Sequence, residues 1–481
     1  MWWLSFIAKA CVVAMCLLSA PALLGQTPSN TEQLIEETVT NAEGQLEDES
    51  LIDDFSTLVT QPIPINDTLA NWSPLLSNGL LTPYQQEQLV GYLREFGPLL
   101  SKTELLAVPG LPEGEARRLF PYVTVRPVES AAVPFINQLS KGRNSLLLRY
   151  QSILETQKGY ALPDSVTNRY LGDRAKVYFR YRHQYGQRLS YGLVADKDPG
   201  ESLFNGKAGF DFYSAHFFTA QPEKGGKLAV GDYELKIGQG LLHWNGFSLG
   251  KGVSSARIHR AAPVLRPFNS ANEFNFMRGI ALERNLGPLK ITPWVSHRQL
   301  DASFEADSTG QPSLLRTIRE DGLHRTVGEL KNKGVFTLTN TGVNATYEGQ
   351  HINLGLAASY SKFSTPVEPR EQPYTAFDFR GDAALGVSMH YSAVLKQAYL
   401  FGETAVDQEG NLASLHGVQA FINPGVKAAL AIRSYAKDYS AIHADGFAES
   451  TGTQNEQGLY LGFEFNPSNQ WFVNTYVDVF R

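Results

Sequence analysis

From Lys176 to Asp196 the chain reads KVYFRYRHQYGQRLSYGLVAD, and its apolar residues recur every second position. Val177, Phe179 and Tyr181 fall on one face of an extended chain, with Lys176, Arg180, Arg182 and Gln184 on the other. Gly186-Gln187 break the run, and Leu189, Tyr191, Leu193 and Ala195 resume the apolar face. GVNATYEGQHINLGLAASY repeats the design: Val343, Ala345 and Tyr347, a turn at Gly349, then Ile352, Leu354, Leu356 and Ala358. LYLGFEFNPSNQWFVNTYVDV is a third hairpin, turning at Asn466-Pro467-Ser468-Asn469. A helix cannot use this period; a sheet with one apolar and one polar face can.

Long polar segments separate these hairpins, among them Asp196–Lys207 and Asp301–Lys333. Short turns on one side and long loops on the other, with strands apolar outside and polar inside, predict an antiparallel transmembrane β-barrel. Charges as dense as Lys176, Arg180 and Arg182 would be costly against lipid, whereas a hydrated lumen accepts them. Asp232 and Glu234 alternate with Tyr233 and Leu235 and are expected to face that lumen too. The barrel is assigned to residues 144–481, with about fourteen strands. A soluble β-sandwich or solenoid is the alternative architecture.

The N-terminal part follows other rules. Met1–Lys9 carries one positive charge, Ala10–Leu24 is almost wholly apolar, and Ala20-Pro21-Ala22 fits a cleavage site. Residues 1–22 therefore read as a secretory signal. Cys11 and Cys16 both lie within it, so the mature chain has no thiol for a disulfide, a metal or a nucleophile. Residues 23–61 form an acidic leader with nine acids and no base between Thr27 and Thr60, expected to be helical or solvated. Residues 62–127 read as a compact helical domain. One helix runs to Leu76, a turn follows at Asn78-Gly79, and a second helix starts at Pro83 with Thr82 as its N-cap. The scheme then repeats, with Ser101 and Glu104 as a capping box and Pro109-Gly110 as the turn. Residues 128–143 are left as a linker.

Leu81-Thr82, Gln85, Leu89, Tyr92-Leu93-Arg94, Gly97-Pro98-Leu99, Ser101, Glu104-Leu105, Val108-Pro109-Gly110-Leu111 and Ala116 together resemble the tandem helix-hairpin-helix domain of the competence DNA-receptor family. The whole mature chain is similar to Bacteroidetes-type exported proteins that join such a region to a large barrel. That likeness rests on PIPIN (62–66), GDYELKIGQGLLHW (231–244), RGIAL (278–282), NEQGLYLG (455–462) and YVDVF (476–480). It implies a mainly β fold preceded by a small all-α domain, located in the outer membrane with the helices in the periplasm. It also implies further strands after Arg481, which leaves barrel closure in question.

Helix-hairpin-helix turns hold phosphate with backbone N–H groups and a nearby base. The candidate contact residues are Gly79, Leu80, Leu81 and Thr82 in one hairpin and Pro109, Gly110, Leu111 and Pro112 in the other. Pro112 removes a donor, and Glu113 and Glu115 oppose an anion. The mature chain is acidic overall, since loss of Lys9 takes the formal charge from −6 to −7. Contact with a periplasmic protein partner is therefore the expected use of the hairpins, in transport or assembly at the outer membrane. A DNA-binding or DNA-uptake receptor is the alternative. Gly246-Phe247-Ser248-Leu249-Gly250 matches the nucleophile-elbow spacing but lacks the strand-to-helix context. The ten histidines are scattered, and His297 and His324 are expected as loop or lumen residues. No catalytic residue, metal or cofactor is expected.

Overall fold

The computed structural model describes residues 62–67, 72–125, 134–163, 165–203, 209–221, 225–245, 254–423, 425–449, 452–468 and 471–481. The expected signal, the acidic leader and the Gly246–Gly250 motif lie outside these residues.

A short parallel pair, β1 (Ile63–Pro64) with β2 (Val123–Thr124), clasps the two ends of the helical domain. Between them run α1 (Ser73–Ser77), α2 (Pro83–Phe96), a 3-10 turn at Lys102–Ala107 and α3 (Glu113–Leu119). Thr82 caps α2: its hydroxyl accepts from the Gln85 N–H at 3.2 Å, and Gln85 returns an acceptor to the Thr82 N–H at 3.0 Å. Pro83 fills the first turn, where its missing N–H costs nothing. Leu75, Leu89, Leu105, Val108, Ala116 and Leu119 form the domain's own core. Asn66 ties chain entry to the middle of the domain, donating to Leu99 O and accepting from Leu99 N–H, each at 2.8 Å.

The interval assigned as linker holds a helix, α4 (Phe135–Lys141), and the first barrel strand starts at Arg143 rather than Asn144. The α4 carbonyls of Gln138 and Leu139 meet His183 at 2.9 Å and the Tyr191 hydroxyl at 3.2 Å.

Eighteen strands follow. They are β3 (Arg143–Ser152), β4 (Ala175–Tyr185), β5 (Leu189–Lys197), β6 (Phe212–Gln221), β7 (Gly226–Leu235), β8 (Leu265–Pro267), β9 (Met277–Leu286), β10 (Leu289–Leu300), β11 (Ala302–Ala306), β12 (Pro312–Ile318), β13 (Phe336–Glu348), β14 (Ile352–Val367), β15 (Gly381–Leu395), β16 (Ala398–Asp407), β17 (Leu412–Asn423), β18 (Val426–Tyr435), β19 (Glu456–Ser468) and β20 (Trp471–Phe480). Short helices α5 (Lys158–Ala161) and α6 (Val327–Lys331) sit in the long loops. Three of the strands beyond the expected fourteen, β8, β11 and β12, are short pieces folded from the polar loops, where alternation gave no signal.

Each long strand pairs antiparallel with its neighbours around the barrel wall, from β3 to β20. Among the described residues no ladder joins β20 back to β3, and these two strands run in the same direction. The expected hairpin faces are in register: Val343 opposes Ala358, Ala345 opposes Leu356 and Tyr347 opposes Leu354. That column points outward, with Leu354, Leu356 and Tyr360 exposed, while Asn340, Ala357, Ser359 and Ser361 on the alternate positions are buried inside. The tight turns, such as 186–188 and 349–351, gather at the end where the helical domain sits. The long connections gather at the other end. The first is called the turn end below, the second the loop end.

Candidate functional site

The connection from β7 to β8 does not stay at the loop end. Residues 236–245 and 254–264 turn back into the barrel, and Ile237, Leu241, His243, Asn245 and Ala256 are fully buried there. Specific side chains on the wall hold this inner loop. Glu403 on β16 accepts the backbone N–H of Gln239 at 2.6 Å and of Leu241 at 3.0 Å. Both N–H groups point at the same carboxyl oxygen, Oε2, so one wall side chain satisfies two amides of the loop. The Tyr439 hydroxyl donates to Leu241 O at 2.7 Å, and the Tyr460 hydroxyl donates to Ser255 O at 3.0 Å. Ser255 N–H reaches Asn474 on β20 at 2.9 Å. The lumen is therefore filled across its width by a loop of the same chain.

The turn end is covered by the helical domain. Its hairpin residues face the barrel. The Arg257 guanidinium of the inner loop donates to Gly79 O at 2.6 Å. Gly79 has φ +67°, and an added Cβ would fall on that guanidinium, so glycine alone allows both the turn and the contact. Leu80, Leu81 and Thr82 are buried. In the second hairpin Leu111 is buried, Pro109 is exposed, and Pro112 is the half-buried N-cap of α3. Gly110 has φ +74° and lies against the Tyr84 ring; its carbonyl accepts from Gln85 Nε2 at 3.3 Å. Tyr84 stacks on Phe421 of β17. Glu115 in the first turn of α3 pairs with Lys427 of β18 and with Gln85. Burial would raise the Glu115 carboxyl, but Lys427 beside it outweighs this and holds it below the usual carboxylate range.

Between α2 and the inner wall lies a cavity of about 770 Å³, bordered by Glu87 and Arg94 of α2, Lys236 and Arg260 of the inner loop, and Lys227 and Glu283 of the wall. Its three lysines are paired: Lys227 meets Glu283 at 2.7 Å, Lys236 meets Glu234 at 3.0 Å and Lys290 meets Glu348 at 2.5 Å. Such a cavity is polar without a net excess of either sign in these pairs.

The expected lumen residues divide. Lys176 meets Asp198 at 3.0 Å, and Arg180 is buried. The basic strip is thus not a bare cationic track. Asp232 and Glu234 are both buried but lie in different surroundings. Glu234 pairs with Lys236 of the inner loop, whereas Asp232 takes Arg278 of β9 in a forked pair at 2.6 and 2.8 Å. By register Asp232 and Arg278 continue the column of Val230 and Ile280, whose side chains are exposed on the outer surface.

His297 lies on the outward column of β10 and meets the Thr339 hydroxyl at 2.8 Å. His324 belongs to a cluster at the loop end that sequence reasoning missed. Its Nε2 meets Asp301 at 2.5 Å, its Nδ1 meets Asp211, and its backbone N–H donates to Glu201 at 2.9 Å. Lys333 also donates to Asp211 at 2.6 Å. Glu201, Asp211 and His324 come close enough to hold a cation. However, both imidazole nitrogens already face carboxylates, and a lysine occupies the remaining side. The imidazole nitrogens are thus committed to hydrogen bonds with Asp211 and Asp301.

No protein-family model matches the chain, and no curated protein does. Among solved structures, the anion-selective porin of Comamonas acidovorans is 12% identical with a TM-score of 0.29, covering 61% of this chain and 75% of its own. OmpF of Salmonella typhi, in complex with daunomycin, is 12% identical with a TM-score of 0.29, covering 70% and 88%. OprB of Pseudomonas putida is 11% identical with a TM-score of 0.31, covering 72% and 90%. Likeness at this level is too low to carry an argument about what this chain does.

Proposed function

We propose that this chain is an outer-membrane barrel of transport or assembly, non-enzymatic, whose helical domain is a protein-docking module at the periplasmic mouth. The observation that carries the reading is the polar lumen behind an apolar outer belt, filled by the inner loop and covered by the hairpins. The helical domain precedes β3 and sits at the turn end, which is the periplasmic end in barrels of this kind. The hairpins meet a protein surface in the form of the chain's own barrel: Gly79 meets Arg257 and Glu115 meets Lys427. A phosphate backbone would have to displace both contacts, which weighs against the DNA-uptake alternative. A transporter of this design conducts only after its covering domain moves.

Solute efflux from vesicles carrying the full chain, with a protease site placed within residues 128–133, tests the reading. Efflux should be slow before cleavage and faster after it. Equal leak before and after, no greater than from protein-free vesicles, would remove the transport assignment.

A further inference from the structure

Both hairpins of the helical domain and the inner loop converge on one cluster of charges. Lys427 on β18 pairs with Glu115 of the second hairpin and stands 3.9 Å from Glu464 on β19. Glu464 in turn accepts from the Ser254 hydroxyl and from Ala256 N–H at 3.3 Å, both in the inner loop. One residue further on, Arg257 crosses to Gly79 O of the first hairpin. The path Glu115–Lys427–Glu464–Ala256–Arg257–Gly79 therefore leaves the helical domain, passes through the wall and the inner loop, and returns to the helical domain.

We propose that this cluster is a latch that couples the helical domain to the inner loop, so that undocking the domain also releases the loop from the wall. The proposal rests on the transport reading above and names the regulation of that site. The physical basis is shared charge. If the domain leaves, Lys427 loses Glu115 and Arg257 loses Gly79 O in the same movement. Arg257, half-buried in the docked state, then loses that acceptor together with Glu115, while Glu464 stays beside it on the wall. Losing a charge-assisted hydrogen bond at that position is costly. Moving the 254–257 segment toward solvent relieves the cost. The two occluding elements thus have one closed state in common, and a partner that binds the hairpin face draws on both at once.

The test uses the full chain in planar bilayers, with hydrogen exchange measured on the same preparations. Glu115→Gln and Arg257→Gln should each raise the open fraction about tenfold, the shift expected for one charge-assisted bond lost from a two-state closure. Exchange should rise together in 79–82 and in 256–258, although the substitution in E115Q touches only the second hairpin. A Glu115→Cys/Lys427→Cys pair, in a chain with Cys11→Ser and Cys16→Ser and bridged by a bis-thiol crosslinker with a disulfide in its arm, should be silent while that disulfide is oxidised and conduct once it is reduced. If exchange in E115Q rises in the helical domain alone, or if the oxidised pair conducts as well as the reduced one, the latch is wrong and the transport reading stands. If exchange rises in both segments but no variant conducts in any state, the latch holds and the transport reading fails.

Discussion

Tyr84 of the helical domain lies flat on Phe421 of the barrel, with ring centroids 4.3 Å apart and planes inclined by 18°. The same tyrosine ring backs onto Gly110. One aromatic side chain therefore sets the second hairpin's turn and seats the domain on the wall.

Replacing Gly110 should act through this ring. At φ +74° an L side chain is strained, and its Cβ would come within 2.6 Å of the Tyr84 ring. Gly110→Ala is expected to destabilise the helical domain by about 1–3 kcal/mol. Thermal unfolding followed by Trp72, which is buried in that core, should show an earlier transition. Loss of any binding activity in this variant would report misfolding before it reported a lost phosphate contact.

The inner loop should depend on Glu403. Glu403→Leu leaves the N–H groups of Gln239 and Leu241 without their acceptor, at a cost of about 1–3 kcal/mol each. Exchange at these two amides should speed up, and bilayer recordings should show more frequent openings. Glu403→Gln keeps one side-chain oxygen and should fall between Glu403→Leu and the parent.

Arg433 on β18 is clasped by Glu456 and by Asp478, the latter at 2.9 Å. Its side chain is 1% exposed. Arg433→Ala would leave two buried carboxylates facing each other, with an expected loss of about 3–5 kcal/mol. Heat-dependent gel mobility of the folded barrel should move to a lower temperature. Arg433→Met with Glu456→Gln and Asp478→Asn should recover most of the loss, because the uncompensated charge is gone.

The loop-end cluster should titrate at alkaline pH. Burial lowers the His324 imidazole, but its hydrogen bonds to Asp211 and Asp301 outweigh this and raise it to about 10. A raised histidine contributes stability that is complete below its unfolded value near 6.5 and is lost as pH climbs through about 10. Burial and the nearby Asp211 raise the Glu201 carboxyl to about 7, so its charging costs stability in the same direction as pH rises above its unfolded value. The loop end is thus expected to be tightest at about pH 4.5 and to loosen from there, first as Glu201 charges toward about pH 7 and then as His324 deprotonates toward about pH 10. Imidazole nitrogen NMR should find His324 still protonated at pH 8. An imidazole that is neutral at that pH would contradict the two-carboxylate clasp.

The hairpins were legible in the sequence because a period of two fixes both the face and the pairing: Val343, Ala345 and Tyr347 meet Ala358, Leu356 and Leu354 as the alternation demands. The Thr82 cap was legible for an equally local reason, its Gln85 partner being three residues away. The seat of the helical domain was not. Lys427 and Glu115 are 312 residues apart, and neither has a neighbour in sequence that marks it. His324 was unreadable for the same cause, since Asp211 is 113 residues away. The inner loop carried one misleading signal: its glycines and small residues suggest an exposed connection, whereas they allow the backbone to pass close to the wall. The β7 acids show the limit of alternation itself. Gly231, at φ +89°, separates Val230 from Asp232, and beyond it every side chain to Leu235 is buried whatever its parity.

The inner loop follows β7, yet its anchors Glu403, Tyr439, Tyr460 and Asn474 all lie in the second half of the chain. When this loop leaves the ribosome, nothing that will hold it has yet been made. Its buried groups must wait in water, or in the care of a chaperone, until β16 to β20 arrive and wrap around them. The barrel wall is thus built around its contents, and the seating of the inner loop is a late event dominated by distant contacts, the class of step that makes folding slow.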